Sequence, residues 1–290
     1  MHPFLEQILL AGPLITDGAW GTELQARGLG LGEFPDHWNL THPERVTEVA
    51  GAYVEAGSQI ILTNTFGANR IRLAENGLAG EAAAINQRGV EISRAAGKGR
   101  VRVFASIGPT GKLLMSGEIG EEEMRAAFQE QAQALAKAGA DALVIETMSD
   151  LAEARLAISG AKTTGLPVVA CMVFDSGKDK DRTMMGATPE QAARALTAAG
   201  ADVIGANCGQ GITGFISICR RLRAATDRPL WIKPNAGLPE MVDGKVHYSA
   251  TPEDFAAHIP ELIREGAALV GGCCGTRPDF IGAIHRQLRS

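Results

Sequence analysis

Eight short, almost continuously apolar runs alternate with segments of helical period, and several of those segments end on glycine just before the next run. The pattern predicts an α/β fold, a (β/α)8 TIM-type barrel. Near-continuous apolarity, rather than strict alternation, marks parallel strands covered on both faces. Length agrees: 290 residues, 45% of them hydrophobic, suit one barrel of roughly 250 residues. No linker, low-complexity tract or shift of composition divides the chain, so 1–290 reads as one domain. A doubly wound open sheet is the other arrangement with this alternation.

In order, the expected strands are Leu14–Thr16, Ile60–Asn64, Val101–Ser106, Ala142–Glu146, Pro167–Met172, Val203–Asn207, Leu230–Pro234 and Leu269–Gly272. The expected helices are Pro43–Ala56, Glu81–Ala96, Glu121–Ala138, Leu151–Thr163, Pro189–Ala199, Phe215–Ala225, Pro252–Glu265 and Pro278–Leu288. Thr188-Pro189, Thr251-Pro252 and Arg277-Pro278 place proline in a first helical turn, where its missing N–H costs nothing. Ala56-Gly57, Ala138-Gly139, Ala199-Gly200 and Glu265-Gly266 supply glycine at the helix ends. The run Gly28-Leu29-Gly30-Leu31-Gly32 is not a dinucleotide loop: its third glycine is misplaced and it does not join a strand to a helix. It reads as part of the loop after the first strand.

Composition excludes several functions. The net charge is −5, and the basic stretches Lys178–Arg182 and Arg220–Arg223 are short, so no nucleic-acid footprint is expected. No apolar run approaches the ~20 residues of a membrane helix. The start carries Glu6 and lacks a basic region and a small-residue cleavage site, so a cytoplasmic location is expected. Five cysteines then point to metal binding or catalysis rather than a disulfide scaffold.

In such a barrel, catalytic groups sit at the carboxyl ends of the strands. Strand one ends in Asp17-Gly18-Ala19-Trp20-Gly21-Thr22, strand four in Glu146-Thr147 and strand six in Asn207-Cys208-Gly209. Strand seven ends in Lys233-Pro234-Asn235-Ala236-Gly237, and strand eight in Gly271-Gly272-Cys273-Cys274-Gly275-Thr276. Cys208, Cys273 and Cys274 therefore fall at one mouth. Three thiolates suit tetrahedral zinc and leave a fourth position for substrate; the bland alternative is that buried cysteines simply pack. Gly272 and Gly275 give the adjacent pair its backbone freedom. Cys171 and Cys219, inside a strand and a helix, read as packing residues. Asp17 and Glu146 are either caps or a pair of carboxylates for the ammonium group of an amino acid. Glycine amides in the Asp17–Thr22 turn are placed to receive its carboxylate. The six histidines, His37, His247 and His258 among them, show no metal spacing.

These motifs together resemble the homocysteine S-methyltransferases, above all the N-terminal, homocysteine-binding module of cobalamin-dependent methionine synthase. The matching stretches are Asp17–Thr22, Asn64-Thr65-Phe66-Gly67-Ala68-Asn69-Arg70, Ile107-Gly108-Pro109-Thr110-Gly111, Glu146-Thr147, Asn207-Cys208, Pro234-Asn235-Ala236-Gly237 and Gly271–Thr276, in order along nearly the whole chain. The resemblance implies Zn²⁺ on Cys208, Cys273 and Cys274 and a methyl transfer to the homocysteine thiol, forming methionine. It further implies that Asp17 and Glu146 hold the amino group, that Gly18 and Ala19 offer amides to the carboxylate, and that Asn235 supplies an oxygen to the metal before the thiol arrives.

Methionine synthase continues into folate- and cobalamin-binding modules, and this chain ends after the first. Three readings follow: a separate corrinoid or folate-binding protein supplies them, with methylcobalamin as donor; the donor is a small molecule such as betaine or S-methylmethionine; or the chain is part of a longer protein. An alternative reading is that the chain only presents a thiol to a corrinoid protein. A rival from another class makes Lys233 a Schiff-base lysine of an aldolase-like barrel, and leaves the cysteines without a role.

Overall fold

The computed structural model describes residues 1–30, 32–242 and 245–289. Its strands are β1 Leu14–Ile15, β2 Ile60–Ile61, β3 Arg102–Ile107, β4 Ala142–Met148, β5 Val168–Met172, β6 Val203–Gly211, β7 Leu230–Asn235, β8 Pro239–Val242, β9 Lys245–Tyr248 and β10 Ala267–Val270. Eight of them form one sheet in the order β1-β10-β7-β6-β5-β4-β3-β2, with every paired neighbour parallel. The order follows the chain around a ring and never reverses, as it must in a doubly wound sheet. The expected barrel is the observed one.

The ring closes between β1 and β2 without a ladder. Gln59 N–H donates to Ile15 O at 2.8 Å, and its side-chain oxygen accepts from Ile15 N–H at 2.9 Å. Leu62 N–H donates to Asp17 Oδ2 at 2.7 Å. Because side chains complete this seam, both strands are only two residues long, shorter than the apolar runs suggest.

Inward side chains fill the barrel in layers, as the twofold period of a strand requires. Leu14, Ile60, Phe104, Val144, Val169, Cys171, Val203, Trp231 and Leu269 form this inner cluster, with Leu5 among them. Leu5 comes from the helix Pro3–Leu9, whose Phe4, Ile8 and Leu9 also pack on the cluster. Phe104 and Trp231 stack with centroids 6.0 Å apart. A larger apolar layer lies between the strands and the surrounding helices. Cys171 and Cys219 are buried in these two layers.

Two further features depart from the sequence expectation. The helix expected over Pro252–Glu265 is two helices, Pro252–Ala257 and Ile259–Arg264. Pro260 lacks the N–H that would bond to Ala256 O, and its ring opposes that carbonyl, so a continuous helix cannot pass through it. The antiparallel β8–β9 hairpin, between β7 and β10, was not expected, because four-residue strands are too short to establish a period. No helix among the described residues is long and apolar enough to cross a membrane.

Candidate metal and substrate site

The inward alternation that buries the apolar layer also builds the site. One inward step beyond Phe104, Val144 and Trp231 come Ser106, Glu146 and Lys233, and two steps beyond Val203 on β6 comes Asn207. All four polar side chains are buried. Ser106, Glu146 and Lys233 line a cavity of about 330 Å³ at the carboxyl ends of the strands, together with Cys208, Cys273 and Cys274, Thr147, and the loop Gly18–Thr22.

Local backbone geometry aims the three sulfurs. At Cys208 the β6 ladder loses register, between Asn207 and Gly211, and the residue takes φ 63°, in the left-handed region. Such a conformation in a non-glycine residue is uncommon and persists only where the surroundings hold it. The Cys273-Cys274 pair is tied from both sides. Cys273 N–H donates to Pro234 O at 2.7 Å and Cys274 O accepts from Ala236 N–H at 2.9 Å. Gly272 N–H donates to Asp17 O at 3.0 Å. Gly275 has φ 80°, and a Cβ there would also run into the Tyr248 ring, so glycine is required on both counts. Gly272 serves differently: a Cβ there would meet the Thr276 side chain.

The sulfur atoms of Cys208, Cys273 and Cys274 lie within 4.8 Å of one another, with Cys208 and Cys274 3.6 Å apart. Tetrahedral zinc bonded to sulfur at ~2.3 Å sets neighbouring sulfurs about 3.8 Å apart, so the spacing fits. The donor chemistry fits as well. Cys208 feels opposed hydrogen bonds, one with Cys273 favouring its thiolate and one with Cys274 disfavouring it; burial and the neighbouring sulfur carry it up to about 12. Crowded thiols that resist ionising together are stabilised as thiolates by a cation among them. The group can hold a metal ion. Asn235 contributes a further observation: its Oδ1 is buried and has no hydrogen-bond partner, while its neighbours Pro234 and Ala236 hold the cysteine pair.

The charged residues are arranged unequally. Asp17 is fully buried and its carboxylate is taken: Oδ2 accepts from Trp20 Nε1 and Leu62 N–H, both at 2.7 Å, and Oδ1 accepts from Lys233 Nζ at 2.5 Å. Glu146 instead faces the cavity, with Oε1 accepting from Ser106 Oγ at 2.5 Å and Oε2 from Asn207 Nδ2 at 3.3 Å. Burial raises the Glu146 pKa, against the pull of Lys233 and Ser106. Burial works against the Lys233 ammonium, but Asp17 and Glu146 outweigh it and hold the pKa above the usual lysine value. With its ammonium paired to Asp17, Lys233 offers no free amine for a Schiff base, and the aldolase-like reading draws no support from the site.

A sequence profile of the homocysteine S-methyltransferases matches residues 14–288. The chain belongs to this family. Among curated relatives, the methionine synthase of Mycobacterium leprae (strain TN) is 31% identical over 287 residues, 93% of this chain but 24% of the relative. The methionine synthase of Mycobacterium tuberculosis (strain ATCC 25618 / H37Rv) is 31% identical over 299 residues, 97% of this chain and 25% of the relative. The chain thus spans about a quarter of the length of these relatives. The structure superposes on the metallated form of the homocysteine methyltransferase MmuM from Escherichia coli with a TM-score of 0.82, 26% identity and 100% of both chains covered. The oxidised form of MmuM gives a TM-score of 0.78 at 26% identity, with 96% of each chain covered.

The sequence-derived residues divide into three groups, of which the third is Asn235 alone, held beside the cysteine pair between Pro234 and Ala236. Cys208, Cys273, Cys274, Glu146, Gly18 and Ala19 line one cavity. Asp17 sits behind it, facing Lys233. The Ala19 amide is occupied, donating to Thr276 O at 2.8 Å, whereas the Gly18 amide has no acceptor among the described residues. Four residues that touch this machinery carry no role in the sequence reading: Lys233 as an ion-pair partner, Ser106, Trp20 and Asn207. The available signal was that Ser106, Asn207 and Lys233 are polar residues inside otherwise apolar strands, on the inward phase.

Proposed function

We propose that the chain transfers a methyl group to the thiol of homocysteine, giving methionine, with Zn²⁺ held by Cys208, Cys273 and Cys274. One observation carries this reading: the three-sulfur cluster and the Glu146 carboxylate line the same cavity, so one small molecule bearing both a thiol and an ammonium group reaches both. When bound, zinc would keep the substrate sulfur deprotonated near neutral pH, where a free thiol of pKa about 8.5 is mostly protonated.

Glu146 receives the substrate ammonium. Asp17 acts through Lys233, whose charge it balances, because its own oxygens are already engaged. The substrate carboxylate is received by the Gly18 amide and by first-turn amides of the helix Trp20–Ala26, which lacks a side-chain cap. Asn235 Oδ1, buried without a partner, is the oxygen donor to the metal before the thiol arrives. In the transfer, the sulfur lone pair forms the S–CH₃ bond. The bond from the methyl group to its donor breaks with the electron pair leaving on the donor, and the thiol proton passes to solvent.

The donor is methylcobalamin carried by a separate corrinoid protein, or a small molecule such as betaine or S-methylmethionine. A reducing, cytoplasmic setting suits three thiols this close. The test is methionine formation by the zinc-loaded protein from homocysteine and, in turn, methylcobalamin, betaine, S-methylmethionine and methyltetrahydrofolate. Turnover with methylcobalamin alone supports the corrinoid reading. Homocysteine binding without turnover on any of the four makes the chain a thiol-presenting partner. Full turnover by Cys208→Ala with any donor overturns the zinc reading.

A further inference from the structure

We propose that Asn207 is the positioning residue that couples the ammonium-binding carboxylate to the metal-binding sulfurs, and so sets the selectivity of the site for an amino-acid thiol over a simple thiol. The inference rests on the function proposed above and deepens it.

The observation is a set of four contacts made by one carboxamide. Asn207 Oδ1 accepts from Thr147 N–H at 2.8 Å, and Asn207 Nδ2 donates to Thr147 Oγ1 at 2.7 Å. The same Nδ2 faces Glu146 Oε2 at 3.3 Å and Cys273 Sγ at 3.7 Å. An amide nitrogen has two hydrogens, so one serves Thr147 and the other lies between the carboxylate and the sulfur. One side chain from β6 thereby touches the ends of β4 and the cysteine loop after β10.

The backbone explains why such a strut is needed. Thr147 has φ 60°, which a β-branched residue rarely adopts. The two hydrogen bonds with Asn207, one accepted and one donated by its carboxamide, hold it there, and Thr147 directly follows Glu146 in β4. The next residue along β6 from Asn207 is Cys208, also left-handed at φ 63°. Asn207 therefore sits between two strained positions. One sets the direction of the Glu146 carboxyl and the other the direction of a sulfur. Strained backbone clusters where the surroundings hold a functional geometry. Without the carboxamide, Thr147 N–H is left without its acceptor, Thr147 relaxes to negative φ, and Glu146 turns relative to the cysteines.

The test compares homocysteine with 4-mercaptobutanoate, which lacks the amino group, as ligands of the zinc-loaded wild type, Asn207→Ala and Asn207→Asp, by calorimetry. Asn207→Asp keeps the acceptor for Thr147 N–H but turns a carboxylate oxygen toward Glu146 and Cys273. Metal content and the thiolate-to-metal absorption of the Co²⁺-substituted proteins are read alongside. Both variants are expected to keep one metal and the wild-type absorption, to bind homocysteine about tenfold more weakly and to bind the deamino thiol unchanged, the loss of one to two hydrogen bonds being of that order. Either folded variant suffices. If the wild type shows no preference for homocysteine, the proposed function fails. If the wild type prefers it and a folded variant keeps that preference within about twofold, or loses metal as Cys208→Ser does, only the role of Asn207 is overturned.

Discussion

Lys233 Nζ lies 2.5 Å from Asp17 Oδ1 with both side chains buried, and the two residues are 216 positions apart in the chain. This pair joins the ends of β1 and β7 across β10, which lies between them in the sheet. Removing one partner strands the other as an uncompensated buried charge, which costs about 3–5 kcal/mol. Lys233→Met is expected to lower the unfolding free energy by that order in urea denaturation. Adding Asp17→Asn should recover much of the loss. An unchanged transition midpoint in the single variant would remove the pair from any role in stability.

Asp36 provides a pH-dependent prediction. It is buried, accepts from Gly67 N–H at 2.9 Å, and burial raises its pKa from 3.8 to about 7, against that hydrogen bond. Between pH 3.8 and about 7 the folded state retains a proton that the unfolded state has lost, so this group makes the protein less stable as pH rises through that window. Above it the penalty is constant, on the order of 4 kcal/mol at about 1.36 kcal/mol per pKa unit. Asp36→Asn keeps an acceptor for Gly67 and cannot ionise. Its stability relative to wild type should therefore increase between pH 4 and 7 and level off above. A difference independent of pH would show that Asp36 ionises normally.

The barrel was legible because its strands are buried on both faces and so read as apolar runs. The three sulfurs were legible because each stands at the carboxyl end of an apolar run, and glycines flank the adjacent pair. Lys233 was legible at the seventh strand end only as a candidate Schiff-base lysine; its ion pair was not, because its partner Asp17 lies at the other end of the chain. Asn207 was visible only as the neighbour of Cys208. Its contacts depend on left-handed conformations at Thr147 and Cys208, which neither residue type announces. Pro260 was readable in principle as a helix break, and the helical period around it obscured that.

The five cysteines should separate into two classes. Cys208→Ser, Cys273→Ser and Cys274→Ser each remove one sulfur of the cluster and are expected to lower bound zinc well below one per chain after dialysis, with little change in the urea midpoint of the metal-free protein. Cys171→Ser places a hydroxyl in the apolar barrel interior and is expected to cost about 1–3 kcal/mol of stability while keeping the metal. Loss of zinc from Cys171→Ser, or full retention by Cys273→Ser, would contradict the assignment.

Glu146 carries the last prediction, on substrate affinity. Its pKa is raised by burial, and only the ionised carboxylate pairs with an ammonium group. As pH falls through that raised pKa, Glu146 takes up a proton and homocysteine binding should weaken; as pH rises through it, binding should strengthen until the thiol and ammonium of the ligand begin to titrate. Glu146→Gln preserves the size of the side chain and an acceptor for Ser106 Oγ, but carries no charge at any pH. It is expected to bind homocysteine roughly 10–100-fold more weakly at neutral pH, the range for losing a hydrogen bond between charged groups. Its affinity should also lose the acidic limb of the pH profile. Calorimetric titration across pH with the deamino thiol as control separates this effect from changes at the metal, because that ligand has no ammonium for Glu146 to hold. If Glu146→Gln weakens both ligands equally, Glu146 supports the cavity wall rather than receiving the amino group.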